Sequence, residues 1–241
     1  MPDSRLYQAD DPSCSHGDCE LARFSAPSAR LQDVMPMLLE AGRRVEVSAG
    51  TVLYREGEAI DAVLAIGSGL VKLEQYLPSG RARIVRLHTA GALLGLNGTL
   101  EPDHERTAIA VTDMEVLHVP LSVVRRLRSE EPTVYIRLLE AWNSYLSEAD
   151  VWITRFSTGS IRARVARLVS FLAVMPEGSE TDQGVVSLLT CEDMANILGV
   201  TPESVSRNLA EFKRQGVLDV VEGESERYAC DLHELEALAL E

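Results

Sequence analysis

The sequence predicts an α+β protein: a glycine-punctuated series of short strands, then one long amphipathic helix, then a pair of short helices and a hairpin. Three observations carry this. Short β-type runs separated by glycines fill residues 45–119. Apolar side chains recur in steps of four and three from Leu138 to Phe156. Two capped helical segments meet at Gly199.

Taken in order, residues 1–28 read as a flexible arm without apolar periodicity, with Cys14 and Cys19 in a polar stretch. From Ala29 to Ala41, Leu31, Val34, Met35, Leu38 and Leu39 fall at helical spacing. Pro36 inside that stretch predicts a kink or a shorter helix. Strand-like runs follow at 45–47, 51–54, 62–66, 70–76, 82–87, 107–111 and 116–119. Many short strands with frequent glycine turns predict a sandwich or barrel. Residues 120–129 suit a short helix, and Pro132 sits where a longer one can start without losing a hydrogen bond.

In that longer helix Leu138, Trp142, Tyr145, Ala149, Trp152 and Phe156 form a heptad seam. Two tryptophans on one stripe are costly to leave in water. A two-fold contact between subunits is the reading adopted, with Leu139, Leu146 and Ile153 as a second flank for the domain itself. Ser157–Ser160 breaks the pattern and marks a hinge. Ile161, Val165, Leu168, Val169 and Leu172 then give the next helix a buried face.

Thr190 can cap a helix, with Asp193 three positions on. Thr201 caps the next, and Pro202 fits its first turn. Val205, Leu209 and Phe212 point inward, leaving Glu203, Ser204, Ser206, Arg207 and Lys213 on outer or flanking faces. This is the geometry of two helices crossing through a tight turn, and residues 216–230 read as a wing hairpin. An arginine can donate two hydrogen bonds to guanine, and a glutamate can accept from cytosine. Thr201 and the serine hydroxyls near the helix start suit phosphate.

The bulk numbers bound the rest. Lys and Arg total 23, Asp and Glu 37, and the net charge is -14. That excludes a protein held to nucleic acid by charge alone. Residues 201–214 carry Arg207, Lys213 and Arg214 against Glu203 and Glu211, a local +1. No apolar run is long enough to span a bilayer, and the start lacks a signal-peptide pattern; a cytoplasmic location without membrane contact is expected. No P-loop, G-x-S-x-G or H-E-x-x-H motif occurs, so no enzyme is expected.

Over residues 30–235 the chain resembles the CRP/FNR family of bacterial transcription regulators. The marks are Arg55–Glu58, Ile66–Gly69 and Thr89–Gly95 in the roll, then the long helix and the helix-turn-helix. The resemblance implies a cyclic-nucleotide-binding-like β-roll (a double-stranded β-helix), a long dimerisation helix and a C-terminal winged helix-turn-helix. The domains are then an arm (1–28), a sensor roll (29–131), a dimerisation helix (132–156) and a DNA-binding domain (157–241). It further implies a homodimer on palindromic DNA that touches RNA polymerase, as an activator. Glu203, Ser206 and Arg207 look like the E-x-x-S-R motif of the FNR branch, which implies half-sites of the TTGAT type. The competing reading is a ligand-binding scaffold without DNA readout.

For the signal, the resemblance supplies tests. Nucleotide-binding members pair Gly-Glu toward the ribose and Arg-Ser or Arg-Thr toward the phosphate. Here Arg106–Thr107 matches, but Gly95 is followed by Leu96, so cAMP is disfavoured. Cys14 and Cys19, with His16 between them, suit a reversible disulfide or part of a metal site. A four-iron cluster needs four protein ligands, and the arm supplies two cysteines. An iron–sulfur cluster, haem through His16, His88, His104 or His118, and thiol chemistry all stay open, and the cofactor is not assigned.

Overall fold

The structure, a computed structural model, describes residues 34–175, 184–221 and 227–240, with the side chains of 144–148 outside that description. The arm, with Cys14, His16 and Cys19, therefore lies outside the described residues. The chain forms two compact units that part at Gln75/Tyr76, Arg86/Leu87 and Ser147/Glu148.

The roll is built on helix α1 (Met35–Ala41) and strands β1 (Arg43–Val47), β2 (Val52–Tyr54), β3 (Ala62–Ser68), β4 (Val71–Tyr76), β5 (Ala82–His88), β6 (Leu93–Leu94), β7 (Thr107–Ala110) and β8 (Met114–Pro120); of these the segment 76–86, with most of β5, is counted in the second unit and the rest in the first. One sheet runs β1-β8-β3-β6 and the other β2-β7-β4-β5. Side chains alternate across a strand, and β3 uses both faces. Ala62, Leu64 and Ile66 join Val71, Ala108, Ala110 and Met114 in one core. Val63 and Ala65 face a second core, made with α1, α2 (Leu121–Glu130) and the start of α3 (Pro132–Ser157). Coverage on both faces explains the unbroken apolar run. Pro36 does not kink α1; the helix starts at Met35, so the proline falls in its first turn.

The second unit contains the end of α3, then α4 (Ile161–Ala173), β9 (Val185–Ser187), α5 (Cys191–Leu198), α6 (Pro202–Arg214), β10 (Leu218–Val220), β11 (Arg227–Cys230) and α7 (Leu232–Ala239). Its sheet runs β10-β11-β9. Ala163, Val165, Ala166, Leu168, Val169 and Leu172 form the buried face of α4.

The long helix corrects the seam assignment. Leu138 is 0% exposed in the core shared with α1 and α2, and Phe156 is 2% exposed. Neither can meet a second subunit without unpacking its own chain. Trp142, Ala149 and Trp152 are half-buried, and the Tyr145 side chain is outside the description. Trp142 packs against the helical core of the first unit. Trp152 stands edge-on to Phe156 and to Phe171 of α4, with ring centroids 4.7 and 5.6 Å away. Of the flank expected to face the interior, Leu139 is half-buried and packs against the same core as Trp142, whereas Ile153 is 61% exposed, as is Ile136 at 54%. Phe156 thus finds its burial within its own chain, while Trp142 and Trp152 keep part of their surface uncovered by it.

Replacing Phe156 by Ala should cost the second unit about 3–5 kcal/mol, the usual range for an emptied aromatic core site. Ile153→Ala should change the stability of the isolated chain by about 0.5 kcal/mol or less. Thermal or urea denaturation compares the two; equal effects would contradict this division of the helix faces.

Candidate nucleic-acid interface

Helices α5 and α6 are set by their ends. The Thr190 hydroxyl accepts from the Asp193 N–H at 3.1 Å, capping α5. Gly199, at φ +67°, closes it in the left-handed region that glycine tolerates. The Thr201 hydroxyl accepts from the Ser204 N–H at 3.3 Å, and Pro202 opens α6. The turn between the helices is held from below. The Arg164 guanidinium on α4 donates to the Leu198 carbonyl at 2.9 Å. Arg162 donates to Gln215 at 2.8 Å and lies 5.5 Å from the Phe212 ring centroid. These arginines escaped the sequence reading because they precede the motif by some thirty residues or more and show no periodicity that names their partners.

Val205, Leu209 and Phe212 bury one side of α6. Glu203, Ser206, Arg207 and Ala210 are exposed at i, i+3, i+4 and i+7, one continuous outer face. Ser204 is placed differently from the expectation. It is half-buried, and its hydroxyl shares a 3.2 Å hydrogen bond with that of Thr201. These two residues therefore build the helix start. Lys213 donates to the Tyr228 hydroxyl at 2.9 Å and lies 4.2 Å from that ring's centroid, tying α6 to strand β11. The Glu203 carboxyl is held below the usual carboxylate range by hydrogen bonds from its own backbone N–H and from the Thr201 hydroxyl. It stays an acceptor at neutral pH.

Two family profiles match this architecture in order: the cyclic nucleotide-binding domain over residues 44–131 and the Crp-like helix-turn-helix domain over 164–238. The chain belongs to the CRP/FNR family of transcription regulators. The transcriptional regulatory protein btr of Bordetella pertussis is 26% identical over 216 residues, covering 87% of this chain and 88% of that protein. The anaerobic regulatory protein of Haemophilus influenzae is 24% identical over 207 residues, covering 84% and 80%. The solved structure of FixK2 from Bradyrhizobium japonicum shares the fold, with a TM-score of 0.71 at 23% identity over 82% of this chain and 96% of that one.

In this CRP/FNR regulator the residues of the roll that resemble a nucleotide site are placed as follows. Gly95 keeps its left-handed backbone at φ +77°, where a Cβ would stand 2.6 Å from the Ala62 carbonyl. The residue after it, Leu96, is buried in the core with Ile60, Leu93 and Leu121. Thr107 is 6% exposed and its hydroxyl accepts from the Glu56 N–H at 3.1 Å. Arg106 pairs with Glu105 at 3.1 Å. Leu96 thus stands in the core where the resemblance places a ribose-binding carboxylate, and Thr107 and Arg106 each have a contact within the chain.

Nearby, His104 stacks on Tyr54 with centroids 3.5 Å apart. Burial lowers the His104 pKa, against the opposing pull of Glu58, Asp61 and Asp103. Burial likewise raises that of Tyr54, with Arg106 acting the other way. Among the described residues no three His, Cys, Asp or Glu side chains could together hold a metal ion. Cys191 and Cys230 are free thiols, and burial followed by the Asp231 charge raises the Cys230 pKa. No helix of the described residues is long and apolar enough to cross a membrane.

Proposed function

We propose that this regulator binds a palindromic DNA site as a homodimer, reading bases with Glu203, Ser206 and Arg207. The observation that carries the reading is their shared exposure on one face of α6, above a buried Val205–Leu209–Phe212 side. Arg207 supplies a bidentate donor for guanine, Glu203 an acceptor for cytosine, and Ser206 a hydroxyl between them. The E-x-x-S-R pattern favours half-sites of the TTGAT type. Thr201 and Ser204 hold the helix N-terminus, whose free N–H groups suit a phosphate. Lys213 sits at the other end, beside the wing.

Dimerisation through the outward stripe of α3 completes the reading. Ile136, Leu139, Asn143, Leu146, Asp150 and Ile153 follow steps of three and four. Exposed Ile136 and Ile153 give this face an apolar cost in water. Activation by contact with RNA polymerase follows the family resemblance.

The signal is proposed to be redox or a small ligand other than cAMP. Leu96 in the core and the internal partners of Arg106 and Thr107 support this. A relative named an anaerobic regulatory protein points the same way. Cys14 and Cys19 are the candidate thiols, with an iron–sulfur cluster, haem and a reversible disulfide as the three chemistries.

Arg207→Ala should weaken binding to the specific palindrome by roughly 10–100-fold, corresponding to about 1–3 kcal/mol per base contact. Binding to random duplex should change much less. Equal losses on both would remove Arg207 as a base reader and favour a scaffold. Ile153→Glu should give monomers in sedimentation velocity, and persistent dimers would refute the outward seam. Anaerobic purification followed by absorption spectroscopy and iron analysis tests the signal. A visible chromophore is expected for a cluster or haem. A colourless protein should instead bind DNA in an oxidant-dependent way that Cys14→Ser abolishes. Cyclic-AMP-dependent binding with no response to oxidant would overturn the proposal.

A further inference from the structure

The first compact unit holds a cavity that DNA reading does not use. It has a volume of about 410 Å³ and is lined by Leu100, Arg128, Tyr135, Leu139, Trp142 and Asn143. Small-molecule sites commonly enclose about 300–1,000 Å³. Tyr135, Leu139, Trp142 and Asn143 fall at i, i+4, i+7 and i+8, so one side of α3 forms the floor. The residues that resemble a nucleotide site, Gly95, Leu96, Arg106 and Thr107, do not line it. This is a separate place in the fold.

Its walls are set by contacts within the chain. Tyr135 is 8% exposed and shares a core with Leu127 and Leu138. Trp142 and Leu139 pack against that same core. Arg125 on α2 donates to the Gly98 carbonyl at 2.9 Å, which ties the turn Leu96–Thr99 to the helix. The N–H groups of Leu100 and Glu101 both donate to the Asn97 carbonyl at 2.8 Å. Leu100 is thereby held at the rim, where it is 62% exposed.

The lining specifies a ligand chemistry. Tyr135 and Trp142 offer two aromatic rings, and aromatic pairs gain from offset or edge-to-face contact. Leu100 and Leu139 add apolar surface. Arg128 lies in the last turn of α2, is exposed, and has no hydrogen-bond or ion-pair partner among the described residues. A guanidinium takes a carboxylate through two parallel hydrogen bonds. Among the lining residues Arg128 is the one charged side chain, which suits a single negative charge better than a phosphate dianion. The Asn143 amide and the Tyr135 hydroxyl supply neutral donors.

We propose that this cavity binds a small aromatic carboxylic acid, with its ring against Trp142 and its carboxylate on Arg128. Leu139 and Asn143 also belong to the outward stripe of α3. A ring seated beside Leu139 extends the apolar surface offered to a second copy, and that copy shields the carboxylate–guanidinium pair from water. Ligand binding and pairing of the subunits therefore favour each other by the same factor. This consequence rests on the dimeric reading proposed above; the site itself does not.

The test uses the full chain carrying Trp152→Phe, which leaves Trp142 as the only tryptophan. Its emission is followed during titration with benzoate, with benzamide as the uncharged counterpart and acetate as the ringless one. Benzoate should give a saturable change, benzamide should bind roughly tenfold more weakly, in line with the loss of charge-assisted hydrogen bonds, and acetate should have no effect. Adding Arg128→Gln should reduce benzoate to the affinity of benzamide; Arg128 is exposed, so the fold is retained. Equal response to benzoate and benzamide, or benzoate affinity unchanged by Arg128→Gln, overturns the site. Binding by the Ile153→Glu chain but not by the parent protein would mean that a second copy fills the groove, which overturns it too. Sedimentation velocity is the second readout, and saturating benzoate should move the monomer–dimer balance toward dimers. A protein that binds benzoate as expected but stays monomeric at every concentration refutes the dimeric reading and leaves the site standing.

Discussion

The packing of α3 at both its ends is the constraint on which the rest depends. Leu138 is sealed against α1 and α2, and Phe156 against the second unit. A helix committed to two cores has limited freedom in which side it leaves outward. That remaining side carries Ile136, Val151 and Ile153, whose apolar surface one chain does not cover.

The reading helices show the same logic on a smaller scale. Their stability comes from ordinary caps and an apolar side, and their outer face is left free for chemistry. Thr201 and Ser204 are occupied with each other and with the helix start. Arg164 and Arg162 brace the motif from α4. Lys213 is held by Tyr228. What stays unengaged by packing is the narrow strip of Glu203, Ser206 and Arg207, within a chain of net charge -14. With so small a basic surplus, recognition has to draw on directed hydrogen bonds more than on general attraction to phosphate.

Much of this was legible in the sequence. The β-type runs predict seven of the roll's strands, because β-branched side chains between glycines have few other uses. Both helix caps and the glycine turn follow from Thr190, Thr201 and Gly199. The two-residue strand β6, strand β9 and helix α7 are too short or too weakly patterned to stand out. The two ends of the seam, Leu138 and Phe156, lie inside the chain's own cores for a more instructive reason. Leu138–Phe156 and Leu139–Ile153 have the same spacing on adjacent sides of one helix, so periodicity cannot say which side faces inward. Only the positions of α1, α2 and Phe171 decide that, and they are distant in sequence. Sensor chemistry was least legible, since Thr107 and Arg106 resemble a phosphate pair until Glu56 and Glu105 are seen to engage them.

The carboxylate of Glu203 has partners before any DNA arrives, in its own N–H and the Thr201 hydroxyl. A carboxylate has about four acceptor sites, so these two partners orient it and leave room for a further donor. On a duplex offering no donor at that position, the negative charge faces an acceptor edge with nothing gained. The caps of α6 thus do more than start the helix: they aim a fixed negative charge outward from its first turn.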